Sequence, residues 1–572
     1  MSRNVSFSAL NITQFCTTVN DNLYKLFLIF FLINIVGTKH SYTILALAGG
    51  IFVIPFIIFA SIAGALADRY SKHSMIFLTR IMEIIITILG IICFAFKWSV
   101  GGFVVLFLLA TQSTLFSPCK YGIIPEIVPR ERISHYNGII TATTYLAIIF
   151  GTFFASFLTQ ATHEHFVYAS TSTLVIAIIG LIASFWIQKT YPQAAKKKVS
   201  PNFIGEIFRT LKRSRKQRYL FDAIVYGAYF LFMGAYLQLN MIPFVTESLG
   251  LTEVQGGYLF LMVAIGIGFG SFSAGQLCGS EVELGFIPLA CLGSAFCFLG
   301  LYIFASHFYI VILLLIFVGI FGGFFIVPTD IFVQIASPDQ DRGQNVATGN
   351  FIAFFSVILC SGLLALLGNI FKLKAAEGFL VIALITFFIA IILSILFADQ
   401  LLRLFMSIIA RTFWKLKVVG KRRLKQGPVL IVGQRNTWFD TLIIMATLPR
   451  LIRYIVPIDD DIRHHPLYYR LLKVIPLDTE NFSPIGKSAL AQIKKEIEGG
   501  NSVCVMHPPS STEKKMKEWR EEVEAWLKDV NIPALPVYIE HEGSLRPSNR
   551  FMQFFTLFRQ KVKVSYGSLI DN

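Results

Sequence analysis

Charged side chains are scarce in this chain of 572 residues, because Lys, Arg, Asp and Glu together make up only 15% of it. A soluble globular domain carries roughly 25%, so the composition excludes a chain that folds entirely in water. Hydrophobic residues make up 55%, and the mean hydropathy is +0.65. Residues from about 10 to 398 form repeated apolar runs, whereas residues 399–572 have an ordinary globular composition. The sequence therefore predicts a membrane-embedded region followed by a water-exposed domain.

Cysteine is also sparse, and no two of the eight cysteines form a C-x-x-C pair. Most lie in or beside apolar segments, where cysteine usually behaves as a small hydrophobic residue. The spacing argues against a disulfide framework or a zinc site, and no metal ion or cofactor is expected. The apolar run that starts near Leu23 lacks a small-residue cleavage site, so it is interpreted as a membrane span rather than a signal peptide.

Acidic residues are too few to balance the basic ones, which leaves a formal net charge of +16. In a soluble protein this excess would suggest a nucleic-acid partner. Here the basic residues gather in hydrophilic gaps, chiefly at 196–198 and 212–218. That placement is typical of cytoplasmic loops and of attraction to anionic lipid headgroups. Membrane lipids are therefore the expected partner, and nucleic acid is not.

Twelve apolar segments are long enough to cross a hydrocarbon core of about 30 Å as helices. Their approximate bounds are 14–37, 42–66, 75–96, 100–124, 136–158, 165–187, 219–246, 253–277, 284–305, 308–332, 346–368 and 375–398. The hydrophilic linker 188–218 divides them into halves of about 10–187 and 219–398. Its basic residues place it in the cytoplasm, and an even number of spans on each side places both termini there too.

The two halves show a weak internal repeat at an offset of 210 residues. The stretch 65–74 aligns with 275–284, and FSPCK at 116–120 aligns with IVPTD at 326–330. Pro118 then meets Pro328, and Lys120 meets Asp330. Such a duplication is typical of transporters built from related halves.

The loop after the second span, GALADRYSK at 64–72, resembles the G-x-L-a-D-r-x-G-r-k signature of major facilitator transporters. Ser71 stands where that family usually has Gly. The resemblance implies a bundle of six plus six helices over residues 1–398, in which the Asp caps a neighbouring helix and the basic residues face a cytoplasmic gate. An ordinary polar turn would explain the basic residues but not the Gly-to-Asp spacing. The predicted gating residues are Gly64, Asp68, Arg69 and Lys72.

Several polar and ionisable residues fall inside the predicted spans, where they are costly and usually mark a pathway or an internal pair. Asp21 and Lys25 stand four residues apart, so we expect them to pair on one helix face. The predicted substrate-binding set is Asp21, Asn22, Lys25, Glu83, Lys120, Gln238, Asn240 and Asp330, with Gln334, Asn345 and Asn350 as further candidates for the same cavity. An alternative for Lys120, Glu126 and Asp330 is a position at the membrane interface. Glycines at 264–270 and 322–323 are predicted to let helices approach closely.

Residues 10–398 resemble bacterial lysophospholipid transporters more narrowly. The matching stretches are Gln14-Phe15, Asp21-Asn22, SPCKYGI at 117–123, Asn137-Gly138, VELG at 282–285 and GGFFIVP at 322–328. The resemblance implies a flippase of lysophosphatidylethanolamine-type lipids in the bacterial inner membrane. The VELG stretch resembles members that are fused to acyltransferases.

The C-terminal residues are predicted to form an amphipathic linker at 399–420 and an α/β domain at 421–572. Residues 399–417 alternate basic and apolar positions, as expected of a segment lying on the inner leaflet. Short apolar runs at 429–432, 503–506 and 534–539 are predicted strands, and 485–498 is a predicted helix. The domain resembles glycerolipid acyltransferases, specifically the 2-acylglycerophosphoethanolamine type. The matching segments are 429–442, 472–478, 496–507 and 535–544.

The two acyltransferase motifs are degenerate. Where the family has N-H-x-x-x-x-D, with His as the general base and Asp as its support, this chain has Gln434-Arg435 followed by Asp440. Arg stays protonated at physiological pH and cannot act as that base. The family's F-P-E-G aligns with residues 506–509, including His507 and Pro508, so the Glu and Gly are missing.

The sequence thus favours a lysophospholipid flippase with an inactive acyltransferase-like domain that binds lipid, acyl carrier protein, a separate acyltransferase or the transporter itself. One alternative is a bifunctional transporter–acyltransferase that uses an atypical base, for which His507 and His464-His465 are candidates. A second alternative is a transporter of another amphiphile, a drug or a siderophore, because one fold serves many cargoes.

Overall fold

The computed structural model contains fifteen α-helices in the part of the chain that it describes. The described residues are 3–36, 41–129, 132–192, 203–217, 219–251, 253–278, 282–413, 415–419, 430–434, 443–444, 447, 452–457, 475–477, 496, 502–507, 534–541 and 561–566. The helices are α1 (Arg3–Val36), α2 (Ser41–Ile58), α3 (Ala60–Arg69), α4 (Lys72–Ala95), α5 (Ser99–Ile127), α6 (Ile133–Ala161), α7 (Phe166–Ser184), α8 (Phe203–Ser214), α9 (Leu220–Ser248), α10 (Glu253–Leu277), α11 (Phe286–Ile303), α12 (Phe308–Ala336), α13 (Arg342–Ala365), α14 (Ala375–Leu396) and α15 (Ala398–Phe413).

Eleven of these helices are long and apolar enough to cross a membrane by themselves, and the pair α2 and α3 makes a twelfth span. The expected set of about a dozen spans is thereby confirmed, with one correction. The second span is not a single straight helix, because α2 and α3 meet at an angle of 48°. The break lies at Phe59, four residues after Pro55. Proline removes a backbone donor and obstructs the preceding turn, which is a common cause of such bends.

The helices repeat along the chain in the manner that the internal alignment predicts. Helices α5, α6 and α7 begin at residues 99, 133 and 166, and helices α12, α13 and α14 begin at 308, 342 and 375. Each start is displaced by 209 residues, close to the offset of 210 seen in the sequence. Pro118 and Pro328 lie inside α5 and α12, respectively. We therefore call α1–α7 the N-half and α9–α14 the C-half.

Glycines hold α10 and α12 together within the C-half. A methyl group added at Gly266 would lie 2.2 Å from the carbonyl oxygen of Ile316, and one added at Gly270 would lie 2.3 Å from that of Ile320. On α12, a methyl group at Gly319 would lie 2.2 Å from the carbonyl oxygen of Val263. Small residues permit this approach, and the dispersion contacts that follow stabilise helix pairs in lipid. The prediction that these glycines serve helix packing is consistent with this geometry.

The hydrophilic linker between the halves includes a helix. It contains α8, which contacts α3 of the N-half and α13 of the C-half. Leu211 of α8 packs against an apolar cluster that includes Leu220, Val333 and Val346. Helix α8 therefore lies at the end of the bundle where α3 ends and α13 begins.

The chain separates into two compact units, residues 1–392 and residues 393–572. The second unit contains a seven-stranded sheet with the order β1-β7-β6-β2-β5-β3-β4. Its strands are β1 (Lys415–Val419), β2 (Leu430–Gln434), β3 (Ile452–Pro457), β4 (Ile475–Leu477), β5 (Ser502–His507), β6 (Ala534–His541) and β7 (Lys561–Tyr566). All pairs are parallel except β6 with β7. The predicted strands at 429–432, 503–506 and 534–539 correspond to β2, β5 and β6.

Two further expectations for this unit need comment. The amphipathic segment predicted at 399–417 is helical only as far as Phe413. Lys415 and Lys417 belong to strand β1 instead. The helix predicted at 485–498 lies outside the described residues except for Glu496, which is helical. In the central strands β2 and β5, the side chains of Leu430, Ile431 and Val503 are buried. Strands buried on both faces have continuous apolar sequences, as these two have.

Candidate functional site

Asp68 joins the two halves at one end of the bundle. Its carboxylate accepts hydrogen bonds from the backbone N–H groups of Gly343 (2.6 Å) and Gln344 (3.1 Å), in the first turn of α13. Asp68 is fully buried. The first N–H groups of a helix have no partner within the helix and favour negative charge, so this carboxylate caps α13 from the opposite half. We call this the Asp68 end of the bundle.

Backbone contact accompanies the cap. A methyl group at Gly64 would lie 2.7 Å from the Cβ of Ala347 and 2.8 Å from the carbonyl oxygen of Gly343. The side chain of Gln344 donates a hydrogen bond of 3.1 Å to Ser61. Only glycine at position 64 allows α3 and α13 to approach so closely. The predicted gating residues Gly64 and Asp68 thus lie at one contact between the halves.

A second contact between the halves joins α6 and α10. A methyl group at Gly138 would lie 2.7 Å from the carbonyl oxygen of Ser271 and 2.9 Å from the Cα of Gly275. Nearby, the side chains of Asn137 and Gln334 exchange two hydrogen bonds of 3.2 and 2.7 Å between α6 and α12. The Asp68 end is therefore closed on both sides of the bundle.

The remaining predicted gating residues lie beside the cap without bridging the halves. Lys72 is fully buried and forms an ion pair of 2.6 Å with Glu126 of α5, so Glu126 does not simply extend into the membrane interface. Arg69 lies over the ring of Tyr70, 5.4 Å from its centroid. Both basic residues belong to the N-half side of the closure.

Glu83, a predicted substrate-binding residue, lies in the closed core of the N-half. It is fully buried, forms an ion pair with Arg80 on the same helix, and accepts a hydrogen bond of 2.9 Å from Asn20. Arg80 also donates to Thr17 and lies 4.5 Å from the ring centroid of Phe116. This buried pair joins α1, α4 and α5, and its geometry fits an internal structural role.

Asp21 is placed differently, near the middle of the 32-residue span Val5–Val36. Ser113 of α5 donates a hydrogen bond of 2.6 Å to its Oδ2 atom. Its Oδ1 atom has no hydrogen-bond partner among the described residues, and the residue is 9% exposed. A carboxylate with one unused oxygen inside a membrane bundle is suited to bind a cationic group.

The expected pairing of Asp21 with Lys25 is not present. Lys25 instead donates a weak bond of 3.4 Å to Asn22 and lies 5.4 Å from the ring centroid of Phe52. Spacing on one helix face permitted the pair, but the Lys25 ammonium is directed to Asn22 and Phe52 instead. Lys25 and Asn22 remain partly exposed.

Lys120 and Asp330 bring opposite charges to the interior from opposite halves. Lys120 is 8% exposed and lies 4.5 Å from the ring centroid of Tyr121. Asp330 is close enough to interact electrostatically with Lys120, and Asp21 acts on Lys120 as well. These residues occupy corresponding positions in α5 and α12, so each half contributes one charge of opposite sign.

The polar residues predicted on α9 and α13 divide into two groups. Asn240 is buried and donates 2.9 Å to the carbonyl oxygen of Ala375, which ties α9 to α14, whereas Gln238 is exposed. Asn345 donates 2.9 Å to Ser337 within the C-half. Asn350 donates 2.9 Å to Ser117 and so joins the two halves.

The motif positions of the C-terminal unit can be placed only in part. Strands β2 and β5 are adjacent and parallel, and Gln434 pairs with His507 where both strands end. Arg435 follows β2 directly and Pro508 follows β5, but both positions, together with Asp440, lie outside the described residues. The two segments predicted to be degenerate acyltransferase motifs therefore begin at neighbouring carboxyl ends of one sheet, the edge at which ligands bind in parallel sheets.

Comparison with known proteins identifies the fold and its relatives. The model of the Major Facilitator Superfamily matches residues 10–306, just over half of the chain. The lysophospholipid transporter LplT of Klebsiella pneumoniae is 26% identical over 343 residues, covering 57% of this chain and 79% of its own. LplT of Cronobacter sakazakii is 29% identical over 330 residues, covering 56% and 77%.

Among solved structures, the E. coli fucose:proton symporter FucP superposes with a TM-score of 0.56 at 15% identity, covering 69% of this chain and 98% of its own. At that identity the likeness concerns the fold. It agrees with the helix count and with the two related halves. This chain belongs to the Major Facilitator Superfamily and is a multi-pass membrane transporter homologous to the lysophospholipid transporters.

Proposed function

We propose that the protein moves lysophospholipids of the lysophosphatidylethanolamine type to the cytoplasmic leaflet of the bacterial inner membrane. The observation that carries the proposal is the Asp21 carboxylate, which lies mid-span with one oxygen unused, in a chain homologous to lysophospholipid transporters. Both termini would lie in the cytoplasm, because the basic linker marks that side.

The charges in the interior suit a zwitterionic headgroup. Asp21 and Asp330 would bind the ammonium group, and Lys120 and Lys25 would bind the phosphate. The interior thus has two anionic and two cationic side chains, and a bound zwitterion adds no net charge to this low-dielectric region. A headgroup of one sign would leave part of this set uncompensated, which is costly away from water.

Alternating access supplies the movement. Closure at the Asp68 end, through Gly64, Asp68 and Gly138, leaves the opposite end as the route of entry in this state. Rocking of the halves would then break the cap on α13 and release the lipid at the cytoplasmic side. The glycine-packed pair α10 and α12 would move as one body within the C-half.

The C-terminal unit is proposed to be an acyltransferase-like domain without catalysis, in a binding or regulatory role. Arg435 replaces the general base and cannot take a proton from an acceptor hydroxyl. His507 of the other motif pairs with Gln434, the residue that precedes Arg435 in the sequence, which supports this end of β2 and β5 as the place for a ligand. Lipid, acyl carrier protein or a separate acyltransferase are the partners that this chemistry suits.

Uptake of labelled lysophosphatidylethanolamine by proteoliposomes tests the transport proposal. We expect Asp21→Asn to reduce this uptake about tenfold or more, because a hydrogen bond to a charged group contributes about 1.5–3 kcal/mol. Uptake of lysophosphatidylglycerol, which has no ammonium group, should change little. Asp222→Asn, a change of the same charge in the first turn of α9, is the matched control. Absence of uptake by the unmodified protein would eliminate this cargo.

Acyl transfer by the purified protein separates the flippase from the bifunctional alternative. His507 at the end of β5, beside the end of β2, is the observation that favours a replacement base. We expect no transfer of labelled acyl groups to the lysolipid. Transfer that is lost in His507→Ala would establish the enzyme, whereas transfer gained only in Arg435→His would show a site intact except for its base.

A further inference from the structure

Helix α8, in the linker between the halves, has a face that the rest of the described bundle does not cover. Its inner face is buried through Ile207, Thr210 and Ser214. On the other side Ile204 is 52% exposed and Phe208 is 68% exposed. The helix held by this buried face therefore also carries an exposed apolar pair, one turn apart, without a partner among the described residues.

Basic residues surround that pair. The exposed positions that follow it are Arg209, Lys212, Arg213, Arg215 and Lys216. The only acidic residue of α8 is Glu206, and its carboxylate is engaged by Arg209 (3.3 Å) and Arg213 (2.5 Å). The exposed face is thus an aromatic and aliphatic patch within a cationic surround, the composition of helices that lie on anionic membranes.

The chain tethers α8 to the membrane surface. Only five residues separate its last residue, Ser214, from Leu220, where the spanning helix α9 begins. Six extended steps reach at most about 20 Å. Leu211 moreover packs against the apolar cluster that includes Leu220 and Ala223 from the first turn of α9. The exposed face of α8 is therefore kept within reach of lipid headgroups.

The same helix touches both sides of the closure at the Asp68 end. It contacts α3, which carries Asp68, and α13, which Asp68 caps. Arg213 forms an ion pair of 3.3 Å with Asp341, the residue just before α13. Whatever fixes α8 in place thus also favours the arrangement in which α3 and α13 lie together.

We propose that α8 and the turn after it bind anionic phospholipid headgroups through Phe208, Lys212 and Lys216, and that this binding stabilises the closed Asp68 end. The bound lipid is a component of the surrounding leaflet, separate from any transported lipid in the interior. The proposal rests on alternating access, which belongs to the proposed function, but not on the cargo.

Amide hydrogen exchange of the full-length protein in nanodiscs tests the proposal. We compare pure phosphatidylcholine with an equal mixture of phosphatidylcholine and phosphatidylglycerol, and follow residues 204–216 and 341–348. Exchange in both segments should be slower with phosphatidylglycerol. The second segment contains the amides of Gly343 and Gln344 that Asp68 binds, so it reports closure directly.

The double variant Lys212→Gln/Lys216→Gln removes two charges and leaves the pair of Arg213 with Asp341 in place. Each basic residue near an anionic surface contributes about fivefold to binding, so the double variant should bind about 30-fold more weakly and lose the response to phosphatidylglycerol. Phe208→Ala should weaken the response as well. The control Lys97→Gln/Lys372→Gln removes the same charge from exposed positions in the turns after α4 and before α14, and should respond like the unmodified protein.

Equal exchange of residues 204–216 in both lipid mixtures would overturn the proposal. A phosphatidylglycerol response that survives in Lys212→Gln/Lys216→Gln would overturn it too. A response confined to 204–216, with 341–348 unchanged, would refute the coupling to closure. None of these outcomes depends on lysophospholipid transport, so failure here is distinct from failure of the proposed cargo.

Discussion

Replacing Asp68 by Asn tests the idea that one carboxylate holds the two halves together. The amide oxygen of Asn can still accept a hydrogen bond from the first turn of α13, but the negative charge is lost. Charge at a helix N-terminus contributes up to about 2 kcal/mol in partly buried sites, and Asp68 is fully buried. Loss of about 1–2 kcal/mol shifts a two-state equilibrium about 5–30-fold, so we expect a substantial population with the Asp68 end open.

Asp68→Ala should have a larger effect than Asp68→Asn. It leaves the amides of Gly343 and Gln344 without their acceptor, and each unsatisfied buried amide costs about 1–3 kcal/mol. The penalty falls on the closed state only, because opening exposes both amides to water. We therefore expect the open fraction to be largest in Asp68→Ala, smaller in Asp68→Asn and smallest in the unmodified protein.

Distances between spin labels measure that fraction at both ends of the bundle. Labels at Tyr70→Cys and Pro338→Cys report the Asp68 end, and labels at Phe96→Cys and Tyr309→Cys report the opposite end. These positions are exposed, while all eight native cysteines are buried, so labelling is selective. Opening should lengthen the first distance and shorten the second in the same fraction of molecules.

Asp222→Asn serves as the control for loss of one negative charge from the N-terminal turn of a spanning helix, and should leave both distributions unchanged. The reasoning fails if Asp68→Asn leaves the first distance distribution identical to that of the unmodified protein. It also fails if the control shifts the distribution as much as Asp68→Asn does.

Three further predictions follow from packing and burial. Gly270→Ala should lower the free energy of unfolding by about 1–3 kcal/mol, and with it the melting temperature of the detergent-solubilised protein. Gly268→Ala, with open space at its Cβ position, should not. Equal effects of the two variants would contradict the close packing of α10 with α12. Glu83→Gln should destabilise by about 3–5 kcal/mol, because Arg80 would keep a buried charge without its partner; an unchanged melting temperature would argue against the pair. Burial raises the pKa of Cys504, so at pH 8 its thiol should resist alkylation until the sheet unfolds, and rapid labelling of the native protein would contradict its place in the core.

The spans and the Asp68 closure were accessible to sequence reasoning for physical reasons. A membrane-crossing helix needs a long apolar run, and such runs can be read residue by residue. The spacing from Gly64 to Asp68 is also a local pattern, because both residues lie in the ten-residue helix α3. Their partner, the first turn of α13, lies 275 residues away along the chain, and no local pattern identifies it.

The buried pair Arg80–Glu83 shows what was missed although its signal was present. An Arg and a Glu three residues apart on one spanning helix are expected to pair, and that spacing would have argued against Glu83 as a headgroup ligand. The contact of Asn137 with Gln334 had no such signal, because the two residues are uncharged and 197 positions apart. No local sequence pattern predicts that they meet. Asp21 was predicted from its position inside a span, whereas its bond with Ser113 depends on how α1 packs against α5.

The cap formed by Asp68 also has a consequence for hydration. Opening the Asp68 end must expose to water a carboxylate and two helix amides that are dry when the end is closed, together with the glycine-lined contacts around them. The balance between closed and open states therefore depends on water activity as well as on lipid and cargo. Osmolytes that are excluded from protein surfaces oppose the exposure of these groups, so a more concentrated solution should disfavour this part of the opening.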